Sequence, residues 1–232
     1  MPDGKSILMY NSWALSKSAF VKGEQCVKYL YLDKYKKQEK TPFSKETLEL
    51  FDKGHSFEDM VRDNGFPGGV NVKDVAGNFG FFNSYTQYLL QQPGRQVVYE
   101  ATIIEDDVLI MCDILVKNDN GQVDIFEIKL NSSLNEAIQN DLSVQYLIAK
   151  KRFGDQLSTF NVILRSDDEG QAWTVSNLKN ELEPNSIETD KKINLFKNVL
   201  ADGEPEIAMG DHCNKPYTCM FIDYCQKRGI QN

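Results

Sequence analysis

Asp113 lies in an apolar, strand-like run, Val108-Leu109-Ile110-Met111-Cys112-Asp113-Ile114-Leu115-Val116. A polar turn, Asn118-Asp119-Asn120-Gly121, follows it, and a second strand-like run ends in Glu127-Ile128-Lys129. Side chains alternate between faces along a strand, so Glu127 and Lys129 share one face. Folding the hairpin about residues 119–120 brings Asp113 close to opposite Glu127. Two carboxylates and an ammonium then converge at the end of one hairpin. Such carboxylates hold Mg2+ or Mn2+, while a neighbouring lysine places or activates water or offsets charge at a phosphate. The plain alternative is a solvated hairpin edge, because an acid followed by E-x-K is frequent by chance.

The cysteines form a second group. Cys26 lies near the start, Cys213, Cys219 and Cys225 crowd the C-terminal end beside His212, and Cys112 stands apart. No long apolar run opens the chain, which predicts a cytoplasmic protein without a membrane segment. Disulfides are rare there and ligation of a metal by thiolates is favoured. Four thiolates suit a 4Fe–4S cluster or a four-cysteine zinc site, and spacing alone does not name the metal. Buried cysteines acting as small hydrophobes are the alternative.

Positioning these groups takes a sheet and covering helices. The patterns predict helices over 15–33, 45–63 and 79–92, then strands near 95–104, 107–117 and 122–130. A helix over 135–152, strands near 158–165 and 171–176, and a helix over 188–201 precede the cysteine tail. The result is an α/β chain with an α-β-β-β-α-β core. Ser44 is expected to cap the 45–63 helix, with Leu48, Phe51, Met60 and Val61 as its apolar face. Asp141 and Gln145, four apart, stack on one face of the 135–152 helix. At 232 residues one domain with a sizeable core is expected. It divides into a helical segment 1–44, a core 45–180, and a C-terminal helix and cysteine tail 181–232. The net charge of −8 argues against a broad nucleic-acid-binding surface, though not against a local groove. Lys34, Lys36, Lys37, the run 150–152, Lys191, Lys192, Lys227 and Arg228 are candidate phosphate contacts, against the alternative of solvated faces. Phe79, Phe81, Phe82 and Tyr85 are candidate base-stacking residues, against the alternative of core.

Asp113 followed by Glu127-Ile128-Lys129 resembles the PD-(D/E)XK nuclease superfamily, with Cys112 where the family name has proline. Leu15-Ser16-Lys17-Ser18-Ala19-Phe20 and Cys26-Val27-Lys28-Tyr29-Leu30-Tyr31-Leu32 are similar to the N-terminal segment of RecB-like iron–sulfur nucleases, such as CRISPR-associated exonucleases and the AddB nuclease domain. The resemblance runs from about Leu15 to Cys225. It implies a restriction-endonuclease-like core, a mixed central sheet flanked by helices, with N- and C-terminal segments joined by a cysteine-ligated metal centre. Cys26, Cys213, Cys219 and Cys225 would ligate a 4Fe–4S cluster, with Zn2+ as the alternative. Their spacing departs from the group's pattern, in which the second and third cysteines are two residues apart. Within Gly54-His55-Ser56-Phe57-Glu58, Glu58 takes the place of a helix-borne metal ligand, and His55 is its rival. Gln145 matches the glutamine of a Q-x-x-x-Y helix, with Ala149 at the tyrosine position and Tyr146 beside it. Glu100 falls where relatives often carry a glutamate.

The implied activity is Mg2+- or Mn2+-dependent hydrolysis of DNA at single-stranded or frayed ends. Glu58, Asp113, Glu127 and the Ile128 carbonyl would hold the metal, Lys129 would assist the attacking water, and Gln145 would orient. A protein partner in a DNA-repair or defence complex belongs to the same expectation. The runner-up is a catalytically silent nucleic-acid-binding or assembly module that keeps the fold and the cluster. A third reading is a zinc-stabilised domain with no DNA role. The intact Asp, Glu and Lys set favours catalysis.

Overall fold

The computed structural model describes residues 13–229. Strand β1 (Leu15–Ser16) leads into α1 (Lys17–Gln25) and α2 (Val27–Tyr35), followed by α3 (Lys45–Gly65), β2 (Val70–Asn71) and α4 (Phe79–Gln91). Then come β3 (Gln96–Glu105), β4 (Val108–Lys117), β5 (Val123–Lys129), α5 (Glu136–Phe153), β6 (Leu157–Arg165) and β7 (Trp173–Asn177). Helices α6 (Lys179–Leu182), α7 (Ser186–Asp202) and α8 (Ile222–Lys227) complete the chain. The strands form one seven-stranded sheet in the order β2-β3-β4-β5-β6-β7, with β1 on β4. The sheet is mixed and flanked by helices, an α/β architecture. Strands β3, β4 and β5 are antiparallel, β5 and β6 parallel, and β6 and β7 antiparallel.

Local chemistry explains these connections. Asp106 and Asp107 both take positive φ (47° and 58°), as a two-residue hairpin turn requires. The β4–β5 turn closes with Asn118 N–H on the Gln122 carbonyl, and Gly121 supplies a φ of 81°. The parallel β5–β6 pair needs a crossover, which α5 provides. Asn135 caps α5 by accepting from Ile138 N–H, and residues 142–149 are buried throughout. Helix α5 packs on β3 and β4 and also meets α1 and α7. At Gly23 a Cβ would come within 2.8 Å of the Phe196 ring, so only glycine lets α1 approach α7 so closely.

Two apolar layers enclose the sheet. On the α5 side lie Val98, Ala101, Ile110, Cys112, Leu115 and Ile125. On the α3 side lie Phe57, Val61, Val97, Ile114, Val116 and Ile128. A third cluster, with Tyr29, Leu32, Phe221 and Tyr224, ties α2 to α8.

Besides the irregularity where Leu157 begins β6, strand alternation fails in the middle of the sheet. Ile110 and Cys112 face the α5 side, whereas Ile114 and Val116 face the α3 side, so β4 switches faces at Asp113. Across from it β3 switches between Tyr99 and Ala101. Tyr99 pairs with Ile114 and Ala101 with Cys112, so Glu100 stands opposite Asp113 although the two do not pair. Glu100 holds a φ of 54°, a left-handed conformation that is strained for glutamate. The β4–β5 ladder also stops here, at Ile114 with Phe126. Val108 and Leu109 pair with β3 on one edge, so β1, which pairs with the same two residues, lies on the β5 edge. An opening remains on that edge alongside residues 110–113. Lys17 follows β1 directly into it.

Some expectations need correction. The 15–33 segment is not one helix: it begins with β1, and Cys26 (φ −166°) is an extended break between α1 and α2. Ser44 does cap α3, accepting from Thr47 N–H. Leu48 and Phe51, however, are 49% and 43% exposed and do not join an apolar face against the sheet. The helix outruns its support: among residues 45–56 only Thr47 and Gly54 are even half-buried, and packing begins at Phe57. No helix among the described residues is long and apolar enough to cross a membrane.

Candidate active site

The face switch at Asp113 builds the site. Its Oδ2 accepts from the Ile128 N–H at 2.7 Å, taking the place of the strand carbonyl that the ended ladder no longer offers. Ile128 thus contributes its N–H, and its side chain lies in the α3-side cluster. Glu127 is 1% exposed. Its Oε1 accepts from Lys129 Nζ and from Lys17 Nζ, each at 2.8 Å, while its Oε2 is buried without a partner. Lys129 also donates to Asp141 Oδ2 at 2.6 Å, and Lys17 Nζ lies 3.9 Å from Asp141 Oδ1. Gln145 is buried, with Nε2 3.4 Å from Asp141 Oδ2 and Oε1 unpartnered. Tyr146 points elsewhere, donating to Glu183 and packing on Phe160.

A second network approaches from α3. Glu58 is half-buried, 3.8 Å from Arg62 one turn on. Arg62 Nη2 donates to Glu100 Oε1 at 2.5 Å, and Lys73 Nζ pairs with Glu100 Oε2 at 2.6 Å. The Arg62 guanidinium also lies over the Tyr99 ring. His55, the rival of Glu58, is exposed.

Asp113, Glu127, Lys129 and Gln145 therefore meet around one point, with Asp141 as the link, and Glu58 borders it from the other layer. The sequence assigns no role to Lys17, Arg62 or Lys73, and it places Asp141 only on the helix face it shares with Gln145. Nothing in the local pattern marks Lys17, which reaches Glu127 across 110 residues. It stands within the Leu15–Phe20 segment that carries the family resemblance, directly after Ser16, which caps α1 by accepting from Ala19 N–H.

The electrostatics separate the two acids. Burial pushes the Asp113 carboxyl well above the usual range, and Glu127 adds to the rise against the pull of Lys17 and Lys129. Burial also acts upward on Glu127, but Lys129 and Lys17 outweigh it and hold that carboxyl below its ordinary value. Two neighbouring carboxylates without a metal resist double ionisation. Burial raises Glu58 too, against the pull of Arg62, and Glu100 and Glu127 add to the rise. Burial alone would lower Lys129, yet Glu127 and Asp141 raise it well above the lysine range. It is therefore an ammonium, a donor rather than a base.

The donor chemistry fits a hard dication: neighbouring carboxylates and one buried carboxylate oxygen left unpaired. Glu127 Oε2 is one oxygen available to a cation. Among the described residues no group of three or more His, Cys, Asp or Glu side chains is set as a ready coordination sphere.

The cysteines gather elsewhere. Cys26, Cys213, Cys219 and Cys225 line one cavity together with His212, and none is in a disulfide. Burial pushes the Cys219 thiol up to about 12; the Phe221 N–H, 3.4 Å from its sulfur, opposes this, and Cys26, Cys213 and Cys225 add to it. Cys219 N–H donates to the Cys213 carbonyl, and Gln25 Nε2 donates to the His212 and Tyr217 carbonyls, fastening the tail to α1. The four cysteines share one cavity, yet among the described residues no three of them, with or without His212, are set together as a group that could hold a metal ion. Cys112 is fully buried in the α5-side core, away from this group.

Several of the other candidates are occupied. Lys150 pairs with Glu183, Lys151 with Asp106 and Asp190, and Lys192 with Glu24. Phe82 and Tyr85 pack against the core, whereas Phe79 and Phe81 are exposed. No protein-family model matches the chain, and no curated protein matches it.

Proposed function

We propose that the protein is a Mg2+- or Mn2+-dependent nuclease of the RecB-like PD-(D/E)XK type. In this reading the mixed sheet is a restriction-endonuclease-like core, and DNA with single-stranded or frayed ends is the substrate. The observation that carries the reading is Glu127: a buried carboxylate beside Asp113, with one oxygen held by two ammonium groups and the other unpaired. Asp113 and Glu127 would hold the cation, with Glu58 and the Ile128 carbonyl completing its shell. When bound, the metal supplies Lewis-acid charge at the phosphate and eases ionisation of water. Lys129, protonated, donates a hydrogen bond to the attacking water or to the phosphate oxygens. Gln145, fixed on Asp141, limits the directions open to Lys129. The water oxygen bonds to phosphorus as it gives up a proton to bulk solvent, the P–O ester bond breaks, and the departing oxygen takes a proton from solvent. Cys26, Cys213, Cys219 and Cys225 would hold a 4Fe–4S cluster, or Zn2+, that fastens the two ends of the chain.

Labelled single-stranded and duplex oligonucleotides, incubated with Mg2+, Mn2+ or EDTA, test the reading. Cleavage is expected with the metals, none with EDTA, and none with the Asp113→Ala/Glu127→Ala/Lys129→Ala variant. A triple variant that cuts at the parent's rate would place the chemistry elsewhere. A folded parent that binds nucleic acid but never cuts favours the silent binding module.

A further inference from the structure

Lys129 and Lys17 do the same thing from opposite directions. Each ammonium touches Glu127 Oε1 at 2.8 Å, and each faces Asp141, at 2.6 Å and 3.9 Å respectively. The four side chains form a ring of alternating charge. Lys129 comes from the hairpin, whereas Lys17 comes from the opposite side of the opening in the sheet, at the first turn of α1. Its position is fixed three ways: β1 pairs with β4, Ser16 caps the helix, and Gly23 seats α1 against Phe196. A lysine that leaves two acids to engage a phosphate would strand both charges in a poorly solvated place. With a second ammonium already on them, it does not.

We propose that Lys17 is the standing counter-ion of Glu127 and Asp141, which frees Lys129 to turn its ammonium to the scissile phosphate. Lys17 also keeps Glu127 Oε1 occupied, so that Oε2 is the oxygen offered to the cation. Lys17 is thus a positioning residue acting through Glu127 and Lys129. The inference rests on the nuclease reading above.

The test compares the parent, Lys17→Met, Lys17→Arg and Asp141→Asn. Circular dichroism checks folding, Mn2+ electron paramagnetic resonance measures affinity, and single-turnover cleavage of a labelled oligonucleotide at saturating Mn2+ measures rate. Removing one positive charge beside the cation site is expected to tighten Mn2+ binding by at least about tenfold in Lys17→Met. Its cleavage nevertheless falls by roughly tenfold to a hundredfold, because Lys129 is now retained by the acids. Lys17→Arg recovers the rate to within about threefold, since charge and reach are kept. A lysine that merely supports α1 would give looser Mn2+ binding, which overturns the proposal, as does cleavage by Lys17→Met at the parent's rate. If Lys17→Met does not fold, Lys17→Met/Asp141→Asn, which removes one charge of each sign, is compared with Asp141→Asn under the same expectations. A folded parent that neither binds Mn2+ nor cuts overturns the nuclease reading and this inference together. A parent that does both, beside a variant failing these expectations, overturns the inference alone.

Discussion

Replacing Asp113 by asparagine should stabilise the metal-free protein while abolishing its activity. Asparagine keeps an oxygen for the Ile128 N–H, so the hydrogen bond that ends the β4–β5 ladder survives. What disappears is a carboxylate forced close to Glu127 with no metal between them. Two unit charges about 5 Å apart repel by about 3 kcal/mol at an effective dielectric constant of 20. Lys17 and Lys129 offset part of this, leaving a gain of about 1–2 kcal/mol. For a chain of this length that corresponds to a rise in Tm of roughly 2–8 °C. The sign depends on pH. Burial and Glu127 raise the Asp113 carboxyl in the fold, so the unfolded chain ionises it first. Below about pH 4 the carboxyl is protonated in both states and costs nothing. As pH climbs towards the folded value, parental stability drains away, and above it the loss is complete. The advantage of Asp113→Asn should therefore be small at pH 4 and larger at pH 8. Differential scanning calorimetry in EDTA at both pH values measures it. A variant less stable than the parent at pH 8, or one whose gain is larger at pH 4, would refute this reasoning.

Three further outcomes are expected. Glu58→Gln should weaken Mn2+ binding by about tenfold with little change in Tm, whereas exposed His55→Gln changes neither; the reverse ranking in a metal titration shows that Glu58 is not a ligand. Cys26→Ser and Cys219→Ser should each lose the bound metal and melt several degrees lower, because the centre fastens a tail that otherwise frays, while Cys112→Ser keeps its metal; metal content and Tm of each variant decide. Gln145→Leu should lower cleavage more than it lowers Mn2+ affinity, since Gln145 touches Asp141 and neither Asp113 nor Glu127; equal losses would argue that Gln145 merely supports the metal site.

The hairpin is legible because residues 108–116 form an apolar, strand-like run, residues 123–129 a second strand-like run, and the Asn-Asp-Asn-Gly turn between them is short. Its acid pair and lysine followed from register alone. The gathering of four cysteines in one cavity was also readable, from clustering at the ends of the chain. Other features depend on long-range geometry. The face switch at Glu100 and Asp113 has no pattern in either strand alone; only the opposed register reveals it. Lys17 enters the site because a two-residue strand pairs with β4, too short a signal for any window. Leu48 and Phe51 had the right helical spacing but no sheet beneath them, since periodicity says which residues share a face and not whether anything covers it.

The central claim is that Asp113 and Glu127 together hold a divalent cation for phosphodiester hydrolysis. Anomalous scattering from a crystal soaked in Mn2+, with its wavelength set to the manganese edge, tests it most directly. A peak is expected within coordination distance of both Glu127 Oε2 and the Asp113 carboxylate, about 2.1–2.3 Å from each oxygen, and none in Glu127→Gln. A fully soaked crystal with no peak at that position, or with its only peak at the cysteine cavity, would contradict it.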